Sequence, residues 1–408
     1  MRVPYTPAPE ILERYASVLV DFALGDGRGV QPGETVRVVA PESAKPLYAA
    51  LNRAVWRAGG HVLGGYQPDD DAEVNLSRDF YESASAEQLD HFPALYTRGL
   101  VDEIDHQVTV IAPSDPRALD AVDPARIMRR GEAMRPLLDW RGEKENAGRF
   151  TWTLGLYGTP GMAAEAGMGV EEYWQQIVHA CFLDSDEPLE RWREVGRRLE
   201  ETRQRLDALE IERLHVQGED VDLWVSVGEQ RRWLGGRGRN IPSFELFTSP
   251  DWRGTEGWIY CNQPLYRYGN LVKGIRLTFA DGRVTDATAE ENERVLKEMI
   301  ATEGADRVGE FSLTDRRFSR ITRFMAQTLY DENFGGDFGN THIAVGRSYQ
   351  DAYAGDPASV SAEEWERLGF NSSSVHTDVV STSDRVVTAS LRGGGERVIY
   401  REGEFQLD

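Results

Sequence analysis

Apolar residues in the first 110 positions follow two rhythms in alternation. Ile11, Tyr15, Val18 and Phe22 recur at helical spacing, and the turn Gln31-Pro32-Gly33 closes that segment. Val36 to Ala40 is a short apolar run of the kind a buried strand shows. Ser43 stands where it can cap a helix running to Ala58, which Gly59-Gly60 ends. Val62 to Tyr66 and Gln107 to Ala112 read as two further strands. Strands alternating with helices predict a parallel sheet. The stretch 187–214 predicts a long amphipathic helix with Leu189, Trp192, Val195, Leu199 and Leu206 on its apolar side. From Val221 the rhythm changes to that of strands. Val221 to Val227 alternates, Arg276 to Phe279 and Val284 to Thr288 flank an Asp281-Gly282 turn, and Arg385 to Ser390 and Arg397 to Tyr400 flank three glycines. A helix over 289–301 lies between these hairpins. The pattern therefore predicts an α/β chain in two parts. The first, residues 1–112, is an N-terminal α/β domain with a parallel sheet. The second, residues 113–408, is a larger β-rich α+β domain entered through the Pro- and Asp-rich segment 113–124.

Composition agrees with this division and removes several function classes. A chain of 408 residues exceeds what one hydrophobic core organises, and 40% hydrophobic content supplies packed cores. There is no run of about 18 apolar residues, so no membrane span is expected. The N-terminal MRVPYTPAPE lacks the basic flank and apolar stretch of a secretory signal, which places the expectation in the cytoplasm. A formal charge of −22 argues against nucleic acid and against anionic membranes as partners. Cys181 and Cys261, the only cysteines, are too few for a disulfide framework or a multi-cysteine zinc site.

The chemistry concentrates near the C-terminus. His342 lies in GNTHIAVGRSY, and His376 lies in SVHTDVV two residues before Asp378. Both stretches read as strands, and residues i and i+2 of a strand share a face, so His376 and Asp378 can hold one cation together. Three glutamates occupy unusual settings: Glu245 in RNIPSFELFTSP, Glu310 in GADRVGEFSL and Glu332 in LYDENFGGDFGNTH. Two histidines with several carboxylates suit Zn²⁺, Mn²⁺ or Co²⁺. Their number exceeds the needs of one tetrahedral zinc and suits two ions sharing a carboxylate. The residues alone leave open a mononuclear iron site made of His342, His376 and Asp378. The remaining histidines, His61, His91, His106, His179 and His215, fall outside these motifs.

The stretches RNIPSFELFTSP, GADRVGEFSL, LYDENFGGDFGNTHIAVGRSY and NSSSVHTDVV resemble the metal-binding motifs of the M29 family of thermophilic-type aminopeptidases. LVDFALGDGRGVQPGETVRV and LYGTPGMAAEAGMGVEEY resemble that family too, so the likeness covers nearly the whole chain. The resemblance implies a two-domain metallopeptidase, a homodimer, that releases N-terminal residues from peptide substrates with two divalent ions (Zn, Co, Mn or Mg). It implies that Glu245, Glu310, His376 and Asp378 hold one ion, and that Glu310 bridges to a second completed by Glu332 and His342. It gives Tyr349 a catalytic role beside Glu310, as hydrogen-bond donor to the tetrahedral intermediate. The insertion FGGDFGNT sets Glu332 and His342 ten residues apart, farther than the family pattern, which makes Asp337 a competing ligand; the D-E-N context favours Glu332. Two other readings share the motifs. One is a ring-cleaving iron enzyme related to dihydroxypyridine dioxygenases, and the other is a catalytically silent binding protein.

Overall fold

Val36, Val38 and Ala40 point into one core along strand β1 (Thr35–Pro41), and the intervening residues lie on the opposite face. Helix α1 (Pro9–Ser17) continues into a wider turn over Val18–Phe22, and helix α2 (Lys45–Arg57) buries Leu47, Ala50, Leu51, Ala54 and Val55 in the same core. The computed structural model describes residues 5–71, 73–236 and 238–408; residues 1–4, part of the stretch read above for a signal, lie outside them. Four more strands join β1: β2 (His61–Gln67), β3 (His106–Ile111), β4 (Thr151–Leu156) and β5 (Asn240–Ile241). Their order is β2-β1-β3-β4-β5, and every pairing is parallel, as the alternation of helix and strand predicts. The sheet continues past residue 112, because β4 and β5 come from later in the chain. The segment 113–124 is not a free tether, since the Leu119 N–H donates to the Gly269 carbonyl at 3.0 Å.

Two local expectations are corrected. Ser43 does not cap α2; its hydroxyl donates to the Ala112 carbonyl at 2.7 Å and ties the end of β1 to the end of β3. The long helix ends at Asp207 rather than at residue 214. Glu210 adopts φ +49°, which no helix continues through, and Ile211–Gly218 forms a strand.

That strand belongs to an eight-stranded antiparallel sheet that also holds both predicted hairpins, Ile275–Ala280 with Arg283–Thr288 and Arg385–Leu391 with Glu396–Arg401. Asp281 and Gly282 both have positive φ, as a two-residue hairpin turn requires. A third sheet carries the candidate ligands. It runs β9-β8-β7-β6, all antiparallel, with β6 (Glu245–Thr248), β7 (Val308–Thr314), β8 (Asn340–Gly346) and β9 (His376–Ser381). Only Pro242, Ser243 and Phe244 separate β5 from β6. The outer strand of the parallel sheet thus leads straight into an edge of the ligand-bearing sheet, and a cleft forms between them.

The parallel sheet gives the cleft one wall. Register aligns Gln107 with Trp152 and Thr109 with Leu154, so these four side chains share the face that lines it. Above them lies helix α4 (Arg135–Asn146), anchored to helix α3 (Ala94–Glu103) by Lys144. The buried Lys144 ammonium donates to the carbonyls of Val101 (2.9 Å), Asp102 (3.0 Å) and Ile104 (2.6 Å). Its three donors meet the orphan carbonyls at a helix C-terminus, where a cation is favoured. Lys144→Met keeps the aliphatic stem and leaves those carbonyls unsatisfied. The expected cost is about 2–3 kcal/mol, read as a lowered urea midpoint.

Candidate metal centre

Register brings the ligands together. Ser312 stands opposite His342 and Phe247, Glu310 opposite Ala344, and Ala344 opposite Asp378. Partners across a sheet share a face, so Glu245, Glu310, His342, His376 and Asp378 all project to the same side of four adjacent strands. Ala344, the small residue between Glu310 and Asp378, leaves the space at the centre of that face unfilled. Gly346, opposite His376, has φ +106°, and a Cβ there would lie 2.1 Å from the Val375 carbonyl oxygen. Only glycine lets β8 bring His376 this close.

The side chains form two groups that share Glu310. Ligand atoms of Glu245, Glu310 and His342 lie within 4.8 Å of one another, as do those of Glu310, His376 and Asp378. His342 Nε2 is 3.0 Å from Glu245 Oε2 and 3.2 Å from Glu310 Oε1. His376 Nε2 is 3.5 Å from Glu310 Oε2 and 3.6 Å from Asp378 Oδ1. The grouping differs from the one the resemblance implied: Glu245 stands with His342, not with His376 and Asp378. Glu332 lies outside both groups but is buried beside them and lines the same cavity, its Oε1 accepting from Asn240 Nδ2 at 2.9 Å. Asp337 is exposed and is not among the lining residues.

Electrostatics show what the site lacks. Burial pushes the Glu245 carboxyl up. Burial lifts Glu332 well above the carboxylate range, and the negative charges of Asp378 and Glu245 add to it. For His376, burial works downward, but Asp378 and Glu310 raise it to about 10. Burial also works against ionised Asp378, and the adjacent His376 nevertheless brings its carboxyl down to about 2. Four carboxylates around two imidazoles call for positive charge. Divalent cations would supply it, and the donor set of imidazole nitrogen and carboxylate oxygen fits them in kind. His376 Nδ1 lies 2.7 Å from the Arg347 carbonyl, which can only accept, so Nδ1 carries the proton. Nε2 is the nitrogen that faces Glu310 and Asp378, and a cation that displaced its proton would find there the tautomer a metal ligand needs.

The surrounding residues include several that sequence reading missed. Ser312 Oγ donates to Glu245 Oε2 at 2.7 Å, and Arg267 Nη2 donates to the His376 carbonyl at 2.9 Å. Asn240, five residues before Glu245, holds Glu332; its place in RNIPSFE was the only available signal. Tyr349 sits edge-on to His376 (centroids 4.8 Å apart) and beside Phe247 (5.6 Å), with the Arg239 guanidinium 5.0 Å from its ring. Burial and the charge of Glu310 push its phenol well up, so it stays a donor. The cysteines take no part: both are buried and unpaired, and burial raises each thiol to about 12.

The family described as thermophilic metalloprotease (M29) matches residues 9–405 of this chain. The chain belongs to the M29 family. Aminopeptidase T of Thermus thermophilus is 29% identical, with 97% of this chain and 99% of that protein covered. Aminopeptidase PepS of Streptococcus thermophilus is 26% identical, with 98% of each covered. The solved structure of wild-type AmpT from Thermus thermophilus superimposes with a TM-score of 0.78 at 27% identity, covering 97% of this chain and 99% of that one. The fold is thus the mixed one expected, a five-stranded parallel sheet beside antiparallel sheets of eight and four strands. Among the described residues no helix is long and apolar enough to cross a membrane.

Proposed function

We propose that this M29 protein is an aminopeptidase that works with two divalent cations bridged by Glu310. The single observation that carries the reading is the position of Glu310 between two ligand groups, one oxygen toward His342 and the other toward His376. Glu245 and His342 would hold one ion, His376 and Asp378 the other, and Glu332 would complete the set. When bound, such ions polarise a peptide carbonyl and supply a nucleophilic water near neutral pH. The chain's own residues do the rest. The cleft walls exclude bulk solvent from the scissile bond, and the Tyr349 phenol donates a hydrogen bond to the oxyanion that develops there. The surplus of carboxylates draws the ammonium of a peptide N-terminus toward the same place.

The relatives named aminopeptidase support this reading over a mononuclear iron site of His342, His376 and Asp378, which has no use for Glu245 and Glu310. That intact group also speaks against a silent binding protein. Two unpaired, buried cysteines suit a cytoplasmic protein, and the family resemblance suggests a homodimer, which light scattering on the eluted protein would check. Protein purified without added metal and then reconstituted with Co²⁺ or Zn²⁺ is expected to approach two ions per chain by elemental analysis. It should cleave aminoacyl-p-nitroanilides and lose that activity on chelation. Saturation at one iron, with ring opening of a dihydroxypyridine, would overturn the reading.

A further inference from the structure

The cleft has a second polar end, formed by Arg141 and Gln107, that the metal chemistry does not use. Arg141 lies on α4, with Leu138 and Glu145 on the same side of the helix, and it lines the cavity of about 520 Å³ that also holds Glu310 and His376. Among the described residues it has no hydrogen bond and no carboxylate within ion-pair distance; its Cζ lies 5.0 Å from the Phe150 ring centroid. Glu145 is engaged elsewhere, its Oε1 accepting from Arg239 Nη2 at 2.6 Å and from Trp152 Nε1 at 3.1 Å. Burial weighs against a cation at Arg141; the charge of Glu145 offsets part of that, and Arg37 on β1 adds to it. Arg37 is half-buried and equally without a carboxylate. A chain with 68 acidic residues against 46 lysines and arginines does not leave arginines unpaired for want of partners. Holding a half-buried guanidinium with no carboxylate in ion-pair contact is costly, and such a cost is retained where function needs the charge.

Gln107 supplies the second observation. It is 9% exposed and lines the same cavity, its Nε2 donates to Thr109 Oγ1 at 2.8 Å, and its Oε1 has no partner. Turning the amide over keeps the bond to Thr109, because a hydroxyl both donates and accepts. It also turns the free position into an N–H donor. A guanidinium and an amide N–H lining one cavity are donors of the kind that recognise a carboxylate.

We propose that the Arg141–Gln107 end of the cleft is a carboxylate subsite, which grips the leaving portion of a short peptide by its C-terminal carboxylate or by an acidic side chain. The inference rests on the aminopeptidase reading, with the N-terminal residue lying at the carboxylate–histidine cluster. A cavity of this size suits a short peptide and not a folded protein.

The test is steady-state hydrolysis by the metal-loaded enzyme of Leu-Gly-Gly, its C-terminal amide, and Leu-Glu-amide. For each, wild type is compared with Arg141→Gln and Arg141→Lys, and thermal unfolding is recorded without substrate. The wild type is expected to prefer a carboxylate-bearing peptide over Leu-Gly-Gly-amide by about 10- to 100-fold in kcat/KM, the range of a charge-assisted hydrogen bond. Arg141→Gln should bring that ratio toward one, and Arg141→Lys should restore part of it. The unfolding midpoint of Arg141→Gln should stay level or rise, since a half-buried charge with no ion-pair partner is removed. Preference for Leu-Gly-Gly supports the subsite and assigns it to chain ends, whereas preference for Leu-Glu-amide supports it and assigns it to acidic side chains. Hydrolysis of all three peptides with no preference, or a preference untouched by Arg141→Gln, overturns the subsite and leaves the aminopeptidase reading standing. Failure to cleave any of them overturns both.

Discussion

Glu310→Gln is expected to abolish turnover, by on the order of 10³-fold or more, and to lower the content of both ions. One oxygen of this carboxylate lies 3.2 Å from His342 Nε2 and the other 3.5 Å from His376 Nε2, so removing its charge weakens both ligand groups at once. Metal catalysis supplies several kcal/mol of transition-state stabilisation, and each 1.36 kcal/mol is a factor of ten in rate. Glu332→Gln is expected to do less, because Glu332 lies outside both three-residue groups and spends one oxygen on Asn240. Asp337→Asn is expected to leave metal content unaltered, since that side chain is exposed. Elemental analysis beside kcat on one peptide separates these outcomes. Equal losses in Glu310→Gln and Glu332→Gln would remove the bridging role, and a larger loss in Asp337→Asn would reassign the ligand.

Tyr349→Phe is expected to fold, to keep its metals, and to lose about 10²–10³ in kcat, with kcat/KM falling in parallel. The ring contacts with His376, Phe247 and Arg239 survive the change, so the packing does not depend on the hydroxyl. What is lost is a phenol kept protonated by burial and by Glu310, a donor throughout the working pH range. An interaction made only in the transition state lowers both constants together. A raised KM with unchanged kcat would move Tyr349 to substrate binding, and no change in either would make it structural.

The residues of the site were legible one by one, whereas their neighbours were not. The i, i+2 spacing of His376 and Asp378 needs only the alternation of a strand, and β9 delivers it. That His342 meets Glu245 depends on the order β9-β8-β7-β6, which is set by pairing between segments far apart in the chain and leaves no local mark. The same limit explains Ser43. Its hydroxyl had a plausible local partner in the helix start, and the fold offered it a carbonyl at residue 112 instead. Leu206 and Leu199 read correctly as the buried side of a helix, but Ile211 and Leu214 extend that apolar spacing into a strand, and a left-handed Glu210 does not announce itself in sequence. Arg141 was invisible for a related reason. An arginine on a largely polar helix looks like solvated surface until the element above which it sits is known.

The place of β9 at the edge of the ligand sheet has a consequence for the timing of synthesis. His376 and Asp378 enter as the last strand of that sheet, paired only to β8. A nascent chain that has emerged as far as residue 370 can assemble the parallel sheet and β6 to β8, and so can begin to fold from its N-terminal side. It lacks His376 and Asp378, two of the six candidate ligands, and so one of the two ligand groups is incomplete. Under the proposed function, peptide-cleaving capacity is expected only once β9 has been made and has paired with β8.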